Sequence, residues 1–72
     1  MSERTDENRL TPREVAVLQE VATGARNREI GERLSMAKET VKVHVKRVLE
    51  KLGAVDRTQA VVIALRRGII QL

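Results

Sequence analysis

The chain has no cysteine and no aromatic residue, and a single proline and four glycines among its 72 residues. Without cysteine there is no disulfide, no thiolate metal site and no cysteine nucleophile, and nothing ties the chain to an oxidising compartment, so the cytoplasm is the default. Without Phe, Tyr or Trp the core has to be built from Val, Leu, Ile, Ala and Met, side chains of short reach that suit closely packed helices. No apolar run approaches membrane-spanning length. Met1 to Arg9 is polar and charged, so residues 1–9 read as a flexible lead and not as a signal peptide. What remains, residues 10–72, suffices for one small domain with no deep catalytic cleft. No nucleophile, base and orienting partner can be assembled, and no glycine loop could cradle a phosphate; no enzymatic activity, cofactor, metal or small-molecule ligand is expected.

What is present is positive charge, unevenly placed. The net charge is +4, and the halves differ: residues 1–36 carry six basic and seven acidic groups, residues 37–72 eight basic and three acidic. A basic stripe on a small domain is an electrostatic footprint for a polyanion, although many basic surfaces are merely solvated. Position has to decide between the two.

The punctuation predicts four helices and nothing that alternates as a strand would. Thr11-Pro12-Arg13-Glu14 is a helix start, with Thr11 as cap, Pro12 at the first helical position and Glu14 completing a capping box. Val15, Leu18 and Ala22, with Val17 and Val21 beside them, supply the apolar stripe, and Gly24 the stop. Asn27 is the expected cap of a short second helix in which Ile30 and Leu34 face the core while Arg28, Glu29, Glu32 and Arg33 stay in water. Ser35-Met36-Ala37 has the length of the turn in a helix-turn-helix, with Met36 plugging the core. The third helix runs from Lys38 to Leu52 with Val41, Val45, Val48 and Leu52 in register, closed by Gly53. A fourth starts at Asp56, with Gln59 reaching back to the cap, and runs to Gly68.

The third helix carries the candidate site. At about 100° per residue, Val41, Val45, Val48 and Leu52 share one arc with Leu49 on its flank, and the opposite side presents Lys42, Lys46, Glu39, Glu50, Val43, Arg47 and Thr40. Lys42 and Lys46 are neighbours on one ridge, able to reach guanine O6 and N7 or nearby phosphates. Val43 has no core to enter, and an apolar side chain between two lysines suits a thymine methyl. The plainer alternative is a solvated face in which Glu39 pairs with Lys42 and Lys46 with Glu50. His44, at the edge of the buried arc and with no second ligand near it, is assigned to packing or to a phosphate, not to catalysis or metal binding. Arg26, Asn27 and Arg28 crowd the start of the second helix, where free amides suit a phosphate.

The fourth helix is apolar nearly all round over Ala60-Val61-Val62-Ile63-Ala64-Leu65. Ala60, Ile63 and Ala64 form one face, and Thr58, Val61, Val62 and Leu65 another. One is expected to pack inward and the other to meet a two-fold mate; periodicity does not say which, and a monomer with an apolar end is the alternative.

Five stretches then carry a resemblance: Leu10-Thr11-Pro12-Arg13-Glu14, Asn27-Arg28-Glu29-Ile30, Thr40-Val41-Lys42-Val43-His44-Val45, Lys51-Leu52-Gly53 and Arg57-Thr58-Gln59-Ala60. In order and spacing the chain resembles the DNA-binding domain of the LuxR/FixJ/NarL family of bacterial transcription regulators over nearly all of residues 10 to 70. The resemblance implies an all-α, four-helix helix-turn-helix domain of the LuxR type that binds double-stranded DNA sequence-specifically. The third helix would lie in the major groove and the fourth would mediate a homodimer through Thr58, Val61, Val62 and Leu65. Lys42, Val43 and Lys46 align with base-contacting positions, and Thr40 and Arg28 with positions near phosphates; Arg26, Asn27, His44 and Arg47 complete the phosphate set. Such domains usually follow a phosphorylation receiver or a ligand-binding domain, so the chain reads as the output domain of a response regulator or as a stand-alone member. It would act at the bacterial nucleoid, with RNA polymerase as a further partner and no membrane association.

Three positions depart from the family pattern. Ser35 stands where glycine is usual, and Ala37 where Ser or Thr is, which removes a cap worth ~1 kcal/mol. Gly31 stands where alanine is favoured and is expected to loosen the second helix slightly. The promoter-recognising region of a sigma factor shares the Pro-Arg-Glu start and the helix-turn-helix, but the fourth helix after Gly53 argues against it. From another class, a protein-interaction module using the apolar fourth helix is the rival.

Overall fold

The computed structural model describes residues 9–72, so the expected lead lies outside the described residues except for Arg9. The first helix, α1 (Pro12–Ala22), begins with the full capping box: Glu14 N–H donates to Thr11 Oγ1 at 3.1 Å and Thr11 N–H to Glu14 Oε1 at 2.8 Å. Gly24, at φ 87°, turns the chain out of it. The buried stripe is Glu14, Val17, Leu18 and Val21, with Val15 and Ala22 half-buried. Val17, Leu18 and Val21 of the expected stripe are thus its buried part, Val15 and Ala22 lie at its edge, and Glu14 joins the inward face.

In α2 (Asn27–Leu34) the cap is Arg26, not Asn27. The Arg26 N–H donates to Glu29 Oε1 at 2.8 Å, which is half of a capping box, since an arginine side chain has nothing to accept with. Asn27 becomes the first helical residue, and its side chain is taken by a distant arginine described below. Ile30 is fully buried and Leu34 packs on the core, while Arg28, Glu29, Glu32 and Arg33 are exposed.

The turn between α2 and α3 departs from what helix propensity suggests. Ser35 sits in the left-handed region at φ 58°, a conformation that costs a non-glycine residue about 1–2 kcal/mol. Met36 N–H then donates to Gly31 O at 2.8 Å, and the backbone folds back so far that a Cβ on Gly31 would lie 2.4 Å from Met36 O. Gly31 is therefore more than a slightly weak helix former; the closeness of the turn requires it. Met36 is half-buried against the core. Ala37 caps α3 (Lys38–Leu52) with no side-chain hydrogen bond.

The long helix α3 is the centre of the domain and packs on all three others. Val41, Val48 and Leu52 are buried, Val45 and Leu49 lie half-buried against the core, and Gly53 at φ 68° ends the helix. In α4 (Arg57–Arg66) Asp56 Oδ1 accepts from Gln59 N–H at 2.8 Å, but Gln59 Oε1 reaches past the cap to Val55 N–H at 2.7 Å. The helix stops short of its expected end. Ile69 N–H closes onto Ala64 O at 2.8 Å, and Ile70 drops into the core. Gln19 and Gln71 exchange hydrogen bonds, the Gln19 amide donating to Gln71 O and Gln71 N–H returning to Gln19 Oε1 at 3.3 Å, and so tie the tail to α1.

A part-buried ion pair joins α1 to α3. Glu14, 2% exposed, receives Lys51 Nζ at 2.8 Å, and the same ammonium donates to Arg9 O at 3.2 Å. Burial by itself pushes the Glu14 carboxyl up. The hydrogen bonds from Lys51 and the Thr11 amide, with the Lys51 charge, outweigh burial together and hold its pKa below the ordinary 4.5.

Four outcomes are expected from denaturant titrations. Because the folded pKa of Glu14 is depressed, its contribution is complete above the unfolded carboxyl pKa and is lost as pH falls through the folded one. Glu14→Gln should therefore lower stability at pH 7 by about 1–3 kcal/mol and flatten its decline below pH ~4.5. Gly31→Ala should destabilise by about 1–3 kcal/mol despite alanine's better propensity. Ala37→Ser should stabilise by about 1 kcal/mol, and Ser35→Gly by about 0.5–1, the relieved strain being partly offset by glycine's freedom in the unfolded chain.

Candidate nucleic-acid interface

The outer face of α3 is as free as its angular pattern requires. Thr40, Lys42, Val43, Lys46 and Arg47 are all exposed, Val43 being 48% accessible. Of the two ion pairs that would explain the face as merely solvated, one forms. Lys42 Nζ lies 3.7 Å from Glu39 Oε1, both side chains being well exposed, which is worth a few tenths of a kcal/mol and is screened by salt. Lys46 makes no ion pair among the described residues. Arg47 is likewise uncommitted there. The two lysines are therefore available to an outside anion at small cost.

The cations at the start of α2 belong to the helix that packs directly on α3. Arg26 and Arg28 are exposed, Arg28 meeting Glu32 only loosely at 3.9 Å. Asn27 is half-buried, and its Oδ1 accepts from Arg57 Nη2 at the start of α4. His44 is half-buried with Nδ1 turned into the protein and without a partner among the described residues, which leaves Nε2 as its outward polar atom. Among the described residues no cluster of His, Cys, Asp or Glu could hold a metal.

The fourth helix turns Ala60 and Ala64 inward, both fully buried, with Ile63 half-buried beside them. The other face remains accessible: Thr58 and Val62 are exposed, Val62 at 40%, and Val61 and Leu65 are half-buried. Thr58, Val61 and Val62 line a shallow open groove with Val21 and Ala25 at the far end of α1. Of the two faces, the one with Ala60 and Ala64 is the one that packs inward.

Among the contacts that escaped the sequence reading are Glu14–Lys51 and Asn27–Arg57. A signal for the first existed: Glu14 stands four, seven and three residues from Leu18, Val21 and Val17, so a carboxylate sat on an apolar stripe and required a cation. No local signal marks the second.

A short helix, a tight turn and a long helix with a free cationic face define a helix-turn-helix DNA-binding domain. The family model for bacterial regulatory proteins of the luxR family matches residues 8–64. The chain is 56% identical over 61 residues to the uncharacterized transcriptional regulatory protein YxjL of Bacillus subtilis, covering 85% of this chain and 28% of that one. It is 46% identical over 61 residues to the transcriptional regulatory protein LiaR of the same organism, covering 85% and 29%. To the nitrate/nitrite response regulator protein homolog of Haemophilus influenzae it is 43% identical over 65 residues, covering 85% and 31%. The chain spans less than a third of the length of these relatives. It belongs to the luxR family of bacterial regulatory proteins. Among the described residues no helix is long and apolar enough to cross a membrane.

Proposed function

We propose that α3 lies in the major groove and reads base edges with Lys42, Val43 and Lys46, while Arg26, Asn27, Arg28, Thr40, His44 and Arg47 hold the phosphates on either side. The observation that carries this is Val43. An exposed valine on the face that carries Lys42 and Lys46 has no packing role, whereas a thymine methyl gives it a partner beside those cations. Phosphate contacts from α2 and from the flanks of α3 fix register, and base contacts supply preference.

The second copy is assigned to the open face of α4, through Thr58, Val61, Val62 and Leu65. Support comes from burial: the Ala60–Ala64 face is used up inside the domain, so this is the side left to a two-fold mate. The reading places the domain in the cytoplasm at the nucleoid, as the output part of a response regulator, with RNA polymerase as a further partner and no catalytic role. The Haemophilus relative's description as a response regulator supports that placement.

Titration of a duplex selected from a random pool, at several salt concentrations, tests the reading. Lys42→Ala and Lys46→Ala should each cost about 1–3 kcal/mol and relax the preference at one position, and Val43→Ala should weaken discrimination for thymine. Arg47→Ala should weaken all sequences alike and reduce the salt slope by about 1. Wild-type affinity and preference in all of the α3 variants would remove α3 from the groove. In equilibrium sedimentation on DNA, Val62→Glu should abolish two-to-one complexes; their persistence would move the interface elsewhere.

A further inference from the structure

Arg57 and Asn27 are thirty residues apart in sequence and meet in a partly buried contact between the first residue of α4 and the first residue of α2. A guanidinium has donors only, so the Asn27 atom that faces it has to be the amide oxygen. That choice fixes the other end of the amide. The two Nδ2 hydrogens point away from Arg57, find no partner among the described residues, and are not among the buried unpaired polar atoms, so they are open to solvent. On either side of Asn27 in the chain, Arg26 and Arg28 are exposed.

We propose that Arg57 is a positioning residue for DNA binding: it holds the Asn27 amide with its NH2 group outward, where that group donates to a phosphate oxygen of the duplex. The proposal rests on the reading above that the start of α2 faces the DNA backbone, and it supplies what orients the contact. An unheld asparagine presents its carbonyl to a phosphate as readily as its NH2, because the terminal torsion of its side chain is broad and roughly two-fold. The carbonyl would repel the anion. Arg57 removes that wrong half of the rotation before DNA arrives. Its own guanidinium is half-buried and engaged, which suits it to orienting a contact more than to making one.

The test titrates the pool-selected duplex across salt with the whole chain, and melts each variant by circular dichroism alongside. Asn27→Asp keeps the oxygen for Arg57 and the side-chain shape but replaces the outward donors with an anion. It should melt at or above the wild-type temperature and bind at least tenfold more weakly. Arg57→Met releases Asn27 without removing it. Affinity should fall about three- to tenfold with the salt slope unchanged, since no phosphate-contacting cation is lost. Arg57→Lys, which retains a donor, should recover most of that loss, and Asn27→Ala combined with Arg57→Met should bind no more weakly than Asn27→Ala alone. Wild-type binding by Asn27→Asp overturns the proposal. So does a loss in Arg57→Met accompanied by a drop of about one in salt slope, because Arg57 would then be touching the phosphate itself. Should Arg57→Met fail to melt cooperatively, Asn27→Asp and Arg57→Lys decide between the same two results. Lys42→Ala keeps the two readings separable: weakened binding there with wild-type behaviour in Asn27→Asp removes only the positioning role, whereas indifference in both removes the DNA face.

Discussion

Glu14 and Lys51 set how α3 is presented. The carboxylate caps the first turn of α1 through the Thr11 amide and, from the same position, takes the ammonium at the last turn of α3, which also binds the carbonyl of Arg9. A buried charge without its partner is costly, so the pair acts as a directional fastener where apolar contacts alone would tolerate small rotations. Rotation matters here because Lys42 lies nine residues before Lys51, about half a turn round the helix at 100° per residue. Holding Lys51 against α1 turns Lys42 to the outside. The orientation of the Lys42 ridge is thus fixed from the far side of the same helix, by a half-buried residue held against α1.

The turn ahead of α3 is secured differently. It has no side-chain cap at Ala37 and carries a serine in a conformation better suited to glycine, so local chemistry does little to hold the start of the helix. What holds it is the close approach of Met36 to Gly31 and the burial of Ile30 against Val41 and Val48 in one core. Stability at this point comes from packing, and glycine appears where the backbone needs space, not where it needs a positive φ.

Much of this was legible in the sequence because it is local. Thr11 with Glu14, Asp56 with Gln59, and Gly24 and Gly53 announce helix ends through residues three or fewer apart, and the spacing of Val41, Val48 and Leu52 gives the buried arc of α3 and hence its free face. The errors have one cause. Asn27 looked like a cap because its partner, Arg57, lies thirty residues on, and Glu14 was left off the stripe of α1 because it counts as polar until Lys51 is placed beside it. Gly31 looked like a weak helix residue because a clash with a carbonyl five residues later appears only once the turn is built. Burial of Ile70, beyond the last helix, depends likewise on a tail held by Gln19 from the opposite end of the domain.

Ala60 and Ala64 give α4 two unequal sides. With alanine at both contact points the helix lies close to the core, and any larger side chain there would lift it and draw Arg57 away from Asn27. The outward residues, Thr58 and Val62, carry no such obligation. Substitutions can therefore accumulate on that outward side while the inward one stays constant, without disturbing the Arg57–Asn27 contact that ties the start of α4 to the start of α2.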